Sequence, residues 1–204
     1  MRSSTKIACT AGACLLLLGH QGAAAQQALQ LQPSVGLELL TGSIENNTAQ
    51  SQGTGGRAWG MQLNMGVTAL RVLSLSADLG IADIADNNAF SENTTGGEMT
   101  SSVQAFLGSL AVGLRTPPLS IPEEPSATVS AGVNVGHTWM SAERGIVNCT
   151  DCTEQDLEIT AGNFWEPGLY VAPSRRWGLN ARYRVYGGDS DLQNAIMVGI
   201  SGVL

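Results

Sequence analysis

The chain has 204 residues, and only 13% are charged, about half the ~25% of an average soluble protein. Such scarcity excludes a disordered chain, a coiled coil and a charged helical bundle. Seventeen acidic residues against ten basic ones, with a pI of 4.7, leave no basic patch for the phosphate contacts that dominate nucleic-acid affinity, so no nucleic-acid role is expected.

Residues 1–25 read as a secretory signal peptide. Arg2 and Lys6 are its positive start, Ala8 to Gly19 its apolar run, and Ala23, Ala24 and Ala25 offer a small-residue cleavage site before Gln26. The run falls short of the ~20 residues that a spanning helix needs. Cleavage near Ala25 is therefore expected, and residues 26–204 carry eight Arg, no Lys, one His and one Cys pair.

Beyond that point the pattern is alternation, the period-two signature of strands. Eight strands are predicted in chain order. Over 29–41, Leu29, Leu31, Val35, Leu37 and Leu39 oppose Gln30, Gln32, Ser34, Gly36 and Glu38. Over 57–69, Trp59, Met61, Leu63, Met65 and Val67 oppose Gly60, Gln62, Asn64 and Gly66. Over 73–83, Leu73, Leu75, Ala77, Leu79 and Ile81 oppose Ser74, Ser76, Asp78 and Gly80. Residues 102–115 alternate less cleanly, with Phe106, Leu110, Val112 and Leu114 against Ser109, Ala111, Gly113 and Arg115, and a bulge is expected there. Over 127–140, Val129, Ala131, Val133, Val135 and Trp139 oppose Thr128, Ser130, Asn134 and Thr138. Over 157–171, Leu157, Ile159, Trp165, Leu169 and Val171 oppose Thr160, Gly162, Glu166 and Gly168. The last two strands, 177–186 and 192–204, set Trp177, Leu179, Ala181, Tyr183 and Val185, then Leu192, Ile196, Val198 and Ile200, against Asn180, Arg182, Arg184, Gln193, Ala195 and Gly199.

The connectors alternate as well. Those after the second, fourth and sixth strands are tight or Pro-rich, and those after the first, third and fifth are long and polar. This asymmetry marks an even-stranded antiparallel barrel of the outer membrane, turns to the periplasm and loops outside. A soluble barrel would bury the same apolar face inside. Three features decide between them: strands of about ten residues, the length that crosses a bilayer at ~45°; a polar face crowded with Gly, Ser, Ala and Asn, suited to a narrow lumen; and Trp59, Trp139, Trp165 and Trp177, all on the apolar face near strand ends, an aromatic girdle.

On this architecture, and on a C-terminal stretch in which ARYRVY is followed by a short loop and a strand to the last residue, residues 26–204 resemble the small eight-stranded outer-membrane barrels of the OmpA/OmpX type. The resemblance implies an all-β, up-and-down transmembrane barrel in the bacterial outer membrane, surrounded by outer-membrane lipid and lipopolysaccharide and acting as a monomer. It also implies recognition by the barrel-assembly machinery through the C-terminal strand, where Gly199 fits the usual signal and Leu204 replaces the usual aromatic. No peptidoglycan-binding domain is expected after the barrel.

Parity sends Glu38, Asp78, Glu166, Arg182 and Arg184 into the lumen, and pairing of the sixth and seventh strands sets Glu166 beside the two arginines. Eight strands enclose a lumen that side chains nearly fill, which disfavours a general porin. A network that plugs and registers the barrel is expected, with a narrow gated channel for ions or small solutes as the alternative. Cys149 and Cys152 form a C-x-x-C in a loop of an exported chain and are expected to close a local disulfide. Only His137 remains as a further zinc ligand of that type, so no metal or cofactor is expected.

An enzyme is not expected. A barrel that modifies lipid A needs a base and a nucleophile in contact; His137 falls on the lipid-facing parity near the outer rim, but Trp139 stands where a Ser would serve it, and Ser141 and Glu143 lie further along. The remaining role is structural or surface-interacting, with loops rich in acid (among them Asp83, Asp86, Glu143 and Asp156, against Arg57 and Arg144) offered to an extracellular ligand.

Overall fold

The computed structural model describes residues 31–44, 53–86, 91–94, 97–122, 124–147, 155–174, 176–188 and 190–203. Every regular element among them is a strand: β1 (Gln32–Ile44), β2 (Thr54–Ala69), β3 (Leu73–Asp86), β4 (Ser91–Thr94), β5 (Gly97–Arg115), β6 (Leu119–Ile121), β7 (Glu124–Val147), β8 (Gln155–Leu157), β9 (Asn163–Ala172), β10 (Trp177–Tyr186) and β11 (Leu192–Val203). The eight long strands pair antiparallel in the order β1, β2, β3, β5, β7, β9, β10, β11. β11 then pairs back with β1 from Ser34 opposite Val203 to Ile44 opposite Leu192, closing an eight-stranded up-and-down barrel. Closure removes the sheet edges, the condition for placing strands in hydrocarbon.

The side chains are sorted inside out. Leu39 is 68% exposed and Trp59 64%, and large apolar residues such as Ile81, Phe106, Leu114 and Val198 line the outer wall with them. All four tryptophans face outward, Trp59, Trp139 and Trp165 toward the loop end and Trp177 at the turn end. In the tight turn between β2 and β3, Leu70 and Arg71 both take positive φ, 53° and 63°, and Val72 N–H bonds the Ala69 carbonyl at 3.1 Å. That left-handed pair matches hairpin twist, at a steric cost of ~1–2 kcal/mol per residue without glycine.

Several sequence expectations are corrected. β5 pairs with β3 and β7 in continuous register, and the shifts lie instead between Ser43 and Ile44, between Thr54 and Ala58, and between Ser120 and Ile121. The first of these turns Leu192 inward with Ile44, against the parity of Ile196, and leaves Gln193 exposed. The 157–171 segment is two strands joined by irregular chain, which lets Leu157 and Ile159 turn into the core. β5 and β7 also run past the expected ends, pairing up to Thr100 opposite Val147, whereas β9 begins opposite His137. The β5 and β7 side of the barrel wall therefore stands taller than the β9 side.

Candidate functional site

The candidate site is the lumen, and its centre is built by strand alternation. Arg182 and Arg184 stand two apart on β10, so both point inward; Glu38 on β1, Asp78 on β3 and Glu166 on β9 meet them there. Arg182 touches all three acids: Nη1 donates to Glu166 Oε1 at 3.0 Å, Nη2 donates to Asp78 Oδ1 at 3.1 Å, and Nη2 also pairs with Glu38 Oε2. Arg184 donates from Nε to Glu166 Oε2 at 2.8 Å and from Nη2 to Asp78 Oδ2 at 2.7 Å. Its guanidinium lies 3.8 Å from the Phe164 ring centroid.

Neutral groups complete the layer. Gln62 and Asn180 donate to Glu38 at 2.6 Å each, Asn64 and Ser109 to Asp78 at 2.6 and 2.8 Å, and Asn134 to Glu166 at 3.0 Å. Every oxygen of the three carboxylates thereby accepts at least one hydrogen bond, which is what makes buried charge tolerable. The network spans β1, β2, β3, β5, β7, β9 and β10, and β11 contributes by what it lacks. Gly199 sits opposite both Glu38 and Asn180, and a Cβ there would fall 2.6 Å from Glu38 Cγ and 2.2 Å from the Leu37 carbonyl oxygen. Glu38 reaches β10 across that bare backbone.

Sequence reading missed a second layer. Toward the loop end the lumen is apolar: Leu40, Ile44, Ile84, Val103, Leu157 and Met197 are buried there, joined by Tyr186 and Leu192. The signal was present in Leu40 and Met197, which share the inward parity of Glu38 and Gly199, but the irregular 158–162 segment and the Ser43/Ile44 shift hid the rest. At the turn end, Arg115 stacks over Tyr170 at 3.7 Å.

Two charges expected in loops, Asp86 and Arg144, lie on strands and are paired with each other. Arg144 on β7 donates from Nε and Nη2 to the two oxygens of Asp86 on β3, at 3.0 and 2.9 Å, and from Nη1 to Gln155 on β8 at 3.2 Å. Ser101 on β5 also donates to Asp86, so four strands are tied together on the tall side of the wall. Asp86→Asn is expected to weaken this tie by about 1–2 kcal/mol. Hydrogen exchange at residues 101–104 and 143–145 should then quicken while the barrel's heat stability stays unchanged; unaltered exchange would count against the tie.

On the outer wall, the His137 ring is 2.8 Å from Asn163 Oδ1 through Nδ1 and meets Trp139 edge-on. Ser141 pairs with Phe106 and Glu143 with Gln104, so neither is brought to the imidazole by the register. Cys149, Cys152 and Leu204 lie outside the described residues.

Comparison with known proteins agrees with this geometry. No curated protein sequence matches the chain. Among solved structures, the chain is similar to Neisserial surface protein A (NspA), at 9% identity and a TM-score of 0.54, over 84% of this chain and 97% of that one. It is also similar to Ail, the attachment invasion locus protein of Yersinia pestis, solved with the heparin analogue sucrose octasulfate, at 11% identity and a TM-score of 0.46, over 85% and 96% of the two chains. The likeness to NspA is one of fold. The sequence itself matches the family described as the outer membrane protein beta-barrel domain over residues 11–201, and the chain belongs to that family of bacterial outer-membrane barrels.

Proposed function

We propose that this barrel is a closed structural and surface-presenting element of the outer membrane, whose lumen is plugged by side chains. The observation that carries this reading is the stacking of two layers across one narrow lumen: the Arg182 and Arg184 network, and above it the apolar layer around Leu40, Ile84 and Met197. An ion following the charged layer would next have to cross a dry one, at the cost of its hydration. The tall side of the wall, tied by Arg144 and Asp86, is the natural platform for an extracellular ligand. The fold is shared with Neisserial surface protein A, a protein named as a surface protein. In the same reading residues 1–25 are removed on export, the C-terminal strand addresses the assembly machinery, Cys149 and Cys152 pair, and the monomer sits in lipid and lipopolysaccharide.

Planar bilayers test the plug. The purified protein is expected to insert without stepwise conductance, and reproducible unitary steps would replace this reading with that of a narrow channel. A lipid A-modifying activity is disfavoured by the partner of His137, an amide and not a hydroxyl.

A further inference from the structure

Where β9 begins beside β7, the lipid-facing wall carries a polar pair set among aromatic rings. His137 and Asn163 are direct partners in the β7–β9 register. The Trp139 ring packs edge-on to the imidazole with centroids 4.8 Å apart, and Trp165 stands two residues beyond Asn163 on the same face. A carbonyl oxygen only accepts, so the 2.8 Å contact between Asn163 Oδ1 and His137 Nδ1 takes the Nδ1 proton. In the neutral ring that leaves Nε2 as a bare acceptor, and among the described residues the imidazole hydrogen-bonds Asn163 alone.

Beside this pair the wall has bare backbone. Gly108 on β5 lies opposite Trp139, and a Cβ built there would meet nothing nearer than Leu79 Cδ2 at 3.8 Å. The pair and the bare backbone beside it stand at the loop end of the barrel, at the level where indole rings mark the boundary between headgroups and hydrocarbon.

We propose that His137, Asn163 and Trp139, with the bare backbone at Gly108, bind the headgroup of an outer-leaflet lipid that donates a hydrogen bond from a hydroxyl or amide N–H, the chemistry of an acylated amino sugar. The donors of such a lipid sit where its acyl chains join the sugar, level with the indoles. The ammonium of phosphatidylethanolamine lies beyond its phosphate, further from the hydrocarbon, and phosphatidylcholine has no donor. Trp139 supplies a face for the sugar or first acyl carbons, and the missing side chain at Gly108 admits them.

His137 is the one histidine after residue 25, which makes the imidazole a clean probe. The experiment is nitrogen NMR of histidine-labelled protein, isolated from membranes and placed in nanodiscs of phosphatidylcholine alone, with added phosphatidylethanolamine, or with added lipid A. The His137 signals are assigned by their loss in His137→Gln. The Nε2 resonance is expected to keep its bare-acceptor position in the first two and to move to a hydrogen-bonded position with lipid A. Asn163→Ala, on the lipid-facing surface outside the plug, is expected to abolish that movement while leaving heat stability intact. An identical Nε2 resonance in all three lipids would overturn the site, and an equal movement with phosphatidylethanolamine would overturn its assignment to a sugar lipid.

Discussion

Arg182→Ala is expected to lower the barrel's unfolding free energy by about 3–5 kcal/mol, the usual loss when one partner of a buried ion pair is removed. Arg182 is 3% exposed and, among the described residues, is the single group in contact with Glu38, Asp78 and Glu166 together. Without it the lumen holds three carboxylates around Arg184 alone, and two of the three, Asp78 and Glu166, are already that residue's partners. Among the described residues, Glu38 is then left with the amides of Gln62 and Asn180. Urea unfolding in lipid vesicles, followed by tryptophan fluorescence and by heat-modifiable gel mobility, measures the loss. Adding Glu38→Gln to Arg182→Ala should recover part of it, because the orphaned charge goes with the mutation. A loss below about 1 kcal/mol would mean that water enters the layer and screens it. On the proposed plugged reading the variant is expected not to conduct, since the apolar layer is untouched.

Gly199→Ala is the second large effect. One methyl group there meets backbone, not a flexible tip: the Leu37 carbonyl oxygen at 2.2 Å, with Glu38 Cγ at 2.6 Å. Relief requires β1 and β11 to part along the seam that closes the barrel, or Glu38 to leave Arg182. A cost of about 1–3 kcal/mol is expected from the overpacking alone. Gly108→Ala is the matched control, since its Cβ would find ordinary contact at 3.8 Å, and it should be neutral or stabilising by up to about 1 kcal/mol. Equal urea midpoints for the two variants would show that the space over Gly199 is not what Glu38 uses. Gly199 thus has a packing role in addition to the one its place in the C-terminal strand suggests.

Strand number, closure in chain order and the outward tryptophans were legible in the sequence because side-chain direction in a strand has a period of two, and lipid on one side enforces it over about ten residues at a time. The same parity sent Glu38, Asp78, Glu166, Arg182 and Arg184 inward. It could not say that Arg182 meets all three acids, since that depends on shear around the barrel and on the bare backbone at Gly199. The apolar layer was hidden for a related reason: a one-residue register shift at Ser43 and Ile44 reverses the face of Leu192, and irregular chain after Leu157 breaks the count.

Asp86 and Arg144 show the limit from the other side. They stand 58 positions apart in segments whose polarity reads as loop, and only the continuation of β3, β5 and β7 as strands sets them face to face. By itself the sequence determined which face of each strand meets lipid wherever the alternation is unbroken, because that choice is local and repeated. The tertiary structure decided which inward groups touch, how the lumen is layered and how high each part of the wall stands, because these depend on register between strands that lie far apart in the chain.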